Sequence, residues 1–126
     1  MRCFVVVLAA VAFAAGGCNR TPTLAGGEPV GHWVQALKDP DAKQRKKAAH
    51  KLGNAGPAEA DVVPALTAAL QDRDPGVRGE AALALGKCGP AAKDAIPALT
   101  ALQHDRDATV RSYAADALGK IQGGSQ

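Results

Sequence analysis

Aromatic side chains are nearly missing from this chain of 126 residues: they make up 3%, and Phe4 and Phe13 lie in an apolar N-terminal run. Beyond that run only Trp33 and Tyr113 remain. A core of stacked rings is therefore excluded, and stability has to come from small side chains that let backbones approach and recover dispersion contacts. Cysteine is equally scarce. Cys3 and Cys18 sit at the N-terminus and Cys88 stands alone in the body of the chain, which excludes a disulfide framework. No excess of one charge exists either. Lys and Arg number 15 against 12 Asp and Glu, and without Met1 to Gly17 the balance is 14 against 12, a net of +2. A nucleic-acid partner would need a strongly basic face, so none is expected.

Catalytic and metal-binding patterns are lacking too. His32, His50 and His104 fall at three different places in the sequence pattern described below, with no chelating spacing and no carboxylate set beside them. No Ser-His-Asp or Cys-His arrangement offers itself. The sequence therefore predicts no catalytic residue, no metal and no cofactor. No stretch alternates apolar and polar residues with a period of two, so no strand is expected.

The longest apolar run, Cys3 to Ala15, has 13 residues. A bilayer span needs about 20, so this run fits the core of a signal peptide over residues 1–17. The stretch Ala14-Ala15-Gly16-Gly17-Cys18 that follows resembles the lipobox of bacterial lipoproteins, although Ala15 stands where that motif usually carries Leu. The resemblance implies cleavage before Cys18, a lipid on Cys18 and an exported protein anchored at the cell envelope. Asn19 after the cysteine implies the outer membrane if the source is Gram-negative. Ordinary secretion and an uncleaved or misread start are the alternatives. Asn19 to Glu28 is polar, Gly- and Pro-containing and without periodicity, and reads as a tether of ten residues reaching about 33 Å at full extension. Residues 123–126 read as a disordered tail.

Between tether and tail the chain repeats itself every 33 residues. Asp61-Val62-Val63-Pro64-Ala65-Leu66, Asp72-Arg73-Asp74-Pro75-Gly76-Val77-Arg78 and Ala81-Ala82-Leu83-Ala84-Leu85-Gly86 return as Asp94 to Leu99, Asp105 to Arg111 and Ala114 to Gly119. Thirty-three positions earlier stand Trp33, Asp39, Asp41, Arg45, Ala48-Ala49 and Leu52-Gly53. A period held at so many positions marks a repeat architecture. Each unit reads as two helices. Val30, Trp33, Val34 and Leu37 form one apolar stripe of a first helix over Pro29 to Lys38; Val63, Leu66 and Leu70, then Ile96, Leu99 and Leu102, repeat it. Asp61 and Asp94 are placed to cap these helices, with Pro64 and Pro97 harmless in the first turn. Asp41, Asp74 and Asp107 cap the second helices, where Val77, Ala81, Ala84, Leu85 and Cys88, and Val110, Ala114, Ala117, Leu118 and Ile121, face inward. Gly86 and Gly119 read as closing turns, and Gly89-Pro90 as a helix end. The first copy has Gln44 and Lys51 where the others have Val77 and Ala84, as suits a polar end unit.

The unit resembles a HEAT repeat, specifically the short, alanine-rich, phycobilisome-lyase-like kind. The residues that carry the resemblance are Asp72 to Arg78 with Ala81 to Gly86, and Asp105 to Arg111 with Ala114 to Gly119. It implies an all-α fold, a right-handed α-solenoid of about three helix pairs over residues 29–122. It also implies a ladder between neighbouring units formed by Asp39, Asp72 and Asp105 with Arg45, Arg78 and Arg111. HEAT-repeat hydroxylases hold iron with His-Glu dyads; here Trp33, Lys51 and Asp105 follow the histidines, so that activity is not implied.

In HEAT arrays the second helices line a concave surface. By helical angle the candidate partner-binding positions are Lys46, Lys47 and His50, then Gly79, Glu80 and Leu83, then Tyr113 and Asp116. An exposed aliphatic and a tyrosine on one ridge suit a protein contact. The basic cluster of Lys43, Arg45, Lys46, Lys47 and Lys51 reads as a solvated helix face, with anionic lipid or an acidic partner as the alternative. The expectation is a non-catalytic protein-interaction module anchored at the cell envelope through a lipid, with an unidentified protein partner. A homo-oligomer through the exposed solenoid ends is a further expectation. The other readings are a structural spacer or assembly factor of the envelope, and a lyase-type or chromophore-handling accessory.

Overall fold

The computed structural model describes residues 24–25 and 27–123, so the expected signal peptide, Cys18, most of the tether and the end of the tail lie outside the described residues. Among the described residues six α-helices follow one another: α1 Val30–Ala36, α2 Ala42–Ala55, α3 Val62–Ala69, α4 Pro75–Cys88, α5 Ile96–Leu102 and α6 Ala108–Gly123, with a 3-10 helix Gly89–Ala95 leading into α5. Each unit pairs a short first helix with a second one about twice as long. The long helices α2, α4 and α6 pack side by side, and α1, α3 and α5 lie against them. This is an all-α solenoid. Among the described residues no helix is long and apolar enough to cross a membrane.

The expected inward faces are buried. Leu52, Leu66, Leu85, Leu99 and Ile121 are closed off from solvent, as are Ala48, Ala49, Ala81, Ala84, Ala114 and Ala117 between the long helices. Trp33 lies buried under the first unit, which gives that end the bulk its alanines lack.

Glycine sets how closely the long helices approach. A Cβ on Gly53 would stand 2.7 Å from the Ala84 Cβ, and one on Gly86 would stand 3.2 Å from the Ala117 Cα. Gly86 lies in the last turn of α4 and Gly119 near the end of α6. Contact distance between helix backbones, not a need for positive φ, selects glycine at Gly86. The helix ends fall at Gly56 and Gly89, both with positive φ (79° and 61°).

Capping divides in two. Asp41, Asp74 and Asp107 accept from first-turn amides of α2, α4 and α6, as the sequence predicts. Asp61 makes no side-chain cap bond because its own backbone is already helical (φ −83°, ψ −13°), and Asp94 lies within the 3-10 helix, leaving Ala95 at the cap position of α5. A short antiparallel pair, β1 Leu24–Ala25 with β2 Glu28–Pro29, ends the stretch expected as tether. Gly27, at φ 89°, makes the turn, and two-residue strands are too short to show any period.

Candidate interaction surface

The most regular polar residues form a ladder along the turns. Arg45 presents its guanidinium fork to Asp72 (Nε to Oδ2 2.8 Å, Nη2 to Oδ1 3.1 Å) and donates from Nη1 to the carbonyls of Asp39 and Pro40 in its own unit. Arg78 repeats this with Asp105 at 2.8 and 2.9 Å, and with the carbonyls of Asp72 and Arg73. Each aspartate also accepts from the amide two residues on, Asp74 or Asp107. One arginine therefore closes its own turn and clamps the next unit.

The charges respond to this geometry. At Asp72 burial pushes the carboxyl upward, but the Arg45 fork, the Asp74 amide and the charges of Arg45 and Arg73 outweigh it and hold the group below the usual carboxylate range. The Arg78 fork holds Asp105 down, against the opposing effect of burial and with help from the Asp107 amide and the charges of Arg78 and Arg111. The hydrogen bond that Arg45 donates to Asp72 raises the guanidinium further, against its own burial. Two rungs are made. Among the described residues Arg111 donates to the carbonyls of Asp105 and Arg106 and takes no carboxylate, and the Asp39 carboxylate accepts from the Asp41 amide with no arginine fork.

The outward positions of α2, α4 and α6 form the second surface. Lys46, Lys47, His50 and Asp116 are exposed, and Glu80, Leu83 and Tyr113 are half-buried. Gly79, expected to face outward, is instead buried: the Tyr113 ring lies over it, and a Cβ there would stand 3.1 Å from Tyr113 Cδ2. Its role is to seat the tyrosine. His50 Nδ1 meets Glu80 Oε1 at 2.7 Å, and Lys87 donates to Asn54 Oδ1 at 3.0 Å, so ridge residues of neighbouring units pair. Asp116 pairs with Lys120 along α6 at 2.7 Å, and Lys47 Nζ stands 5.7 Å from the Trp33 ring centroid. Lys46, Gly79, Glu80, Thr109 and Tyr113 border a depression of about 270 Å³. This gathers Lys46, Gly79, Glu80 and Tyr113 in one place and leaves Lys47, His50, Leu83 and Asp116 along the ridge around it.

A larger depression, about 620 Å³, lies on the first-helix layer between Val63, Pro64, Thr67, Ala68 and Ala91. Sequence reasoning did not single it out. The Thr67 hydroxyl is already donated to the Val63 carbonyl, while Glu59, Gln71 and Asp94 also line this depression. Cys88 is buried, and burial pushes its thiol pKa up, away from nucleophilic use.

The stacked helix pairs find their counterpart among known families, where the family of HEAT repeats matches residues 30–123. The chain belongs to the HEAT-repeat family. Among solved structures this HEAT array is similar to human deoxyhypusine hydroxylase in complex with glycerol, at 30% identity and a TM-score of 0.63, covering 75% of this chain and 32% of that one. An engineered protein is similar at 28% identity and a TM-score of 0.59, covering 75% and 46% respectively. The match therefore spans about a third of the hydroxylase and under half of the engineered protein. Comparison with curated proteins gives no match.

Proposed function

We propose that this HEAT array is a non-catalytic protein-interaction module, held at the cell envelope by a lipid on Cys18, which binds a partner through the ridge of α2, α4 and α6. The observation that carries the reading is the division of labour among the polar residues. Arg45, Arg78, Asp72 and Asp105 are engaged in holding units together, whereas Leu83 and Tyr113 stay half-exposed beside a depression rimmed by both charges. Solenoids of this kind use such continuous surfaces for binding. A tyrosine seated on a glycine loses little side-chain freedom on binding, which suits an anchor.

One preparation tests both halves. In chain purified from bacterial membranes, intact mass reads the lipid, and an unmodified Cys18 would refute the anchor. Leu83→Ala with Tyr113→Ala should abolish capture of the co-purifying partner while leaving helicity unchanged. Capture that ignores both changes would remove the ridge from consideration.

A further inference from the structure

The contacts that join unit to unit recur at fixed places in the repeat, and the groups that would make them again stand on the outer face of α6. Each contact has a fixed place in the repeat: Arg45 meets Asp72 and Arg78 meets Asp105, both at a separation of 27 residues. Carried one unit further, this pairing puts Arg111 against Asp39 of a following copy, and among the described residues the first takes no carboxylate and the second no arginine fork. The pairing of His50 with Glu80 at a separation of 30 becomes Asp116 with Lys47. That of Asn54 with Lys87, at 33, becomes Lys120 with Asn54. All three new pairs are complementary, two in charge and one as the same Lys–Asn bond already present between the first units.

The steric register agrees. Gly53 receives Ala84 and Gly86 receives Ala117, while nothing lies within 4 Å of a Cβ built on Gly119. In the following copy the position of Ala84 is held by Lys51. A bare glycine beside an open surface gives the aliphatic stem of that lysine a place to lie, with its ammonium directed to solvent. We infer that the α6 face is a docking surface for the first helix pair of a second copy, stacked head to tail so that the arginine ladder runs through the junction. Such a contact is heterologous and does not close on itself, so association continues past the dimer. β1 packs on α1 and α2 of the receiving unit and moves aside or lies at the rim of the junction. Asp116 and Lys120 exchange their pairing along α6 for pairing across it.

Sedimentation velocity of the purified chain over a wide concentration range tests this. The expected result is a sedimentation coefficient that rises steadily with concentration and falls back with added salt, since the junction is largely ionic. Asp116→Lys alone, and Lys47→Asp alone, each place like charges at the junction and should weaken association by about tenfold or more, whereas an equal mixture of the two variants restores it. Gly119→Gln, which favours the helix but fills the groove, should raise the melting temperature and lower association, which separates docking from folding. A chain that stays monomeric, a species that stops at the dimer, or association indifferent to the charge reversals would each overturn the proposal. So would a monomer that carries a different protein on α6 when extracted from membranes, which would assign this face to that partner.

Discussion

Arg78 acts in two directions: its fork holds Asp105 of the next unit, and its remaining nitrogen closes the turn that precedes its own helix. Removing it leaves a nearly buried carboxylate without its partner. Arg78→Met should therefore cost about 2–3 kcal/mol in urea unfolding, even though the side chains are similar in length. The pH dependence has a defined sign. Asp105 and Asp72 are both depressed in the folded chain, so their contribution is fully present above the unfolded carboxylate value of about 3.9 and is lost as pH falls through the folded values. The melting temperature should drop on acidification below about pH 4, and drop less in Arg78→Met because Asp105 no longer has a fork to lose. An equal drop in both proteins would mean that the rung is energetically idle. At this scale the sequence was legible where geometry is local. Asp74 before Pro75 can only be a cap, and it is one. Asp61 and Asp94 have the same look, but the path of the chain into α3 and α5 is already helical or 3-10 there, and no residue type announces that.

The long helices are spaced by glycine, and the spacing grows looser toward the C-terminal end. That grading makes a series of identical substitutions informative. Gly53→Ala drives a methyl to 2.7 Å from Ala84 and should destabilise by about 1–3 kcal/mol by forcing α2 from α4. Gly86→Ala, at 3.2 Å from the Ala117 backbone, should cost less. Gly119→Ala meets nothing within 4 Å and should stabilise by up to about 1 kcal/mol, through helix propensity alone. Thermal melts at low protein concentration check the order; equal effects at the three positions would refute the close-approach account. The repeat made these glycines visible, but their purpose was not. A glycine near a helix end reads as a cap, and only the distance to the neighbouring helix shows that Gly86 is a spacer. Gly79 misled for the same reason, since helical angle places it outward and the Tyr113 ring then covers it.

For the whole molecule, a 33-residue period with two apolar stripes per unit was enough to predict an all-α solenoid, placed over residues 29–122 where the family match covers 30–123, because each helix pair can bury its face only on the next. The pair of β1 and β2 escaped that reading, being too short for any pattern. The regular residues are occupied by caps, ladder and packing, and the proposed binding ridge draws on positions where the units disagree. The most direct test places a photocrosslinking amino acid at position 83 on the ridge of α4, or at the exposed position 93 outside the ridge, in the chain expressed in its native host. The ridge account predicts one discrete crosslinked protein from position 83, none from position 93, and loss of the former when Tyr113 is replaced by Ala. Equal crosslinking from both positions, or a product from 83 that survives Tyr113→Ala, would contradict it.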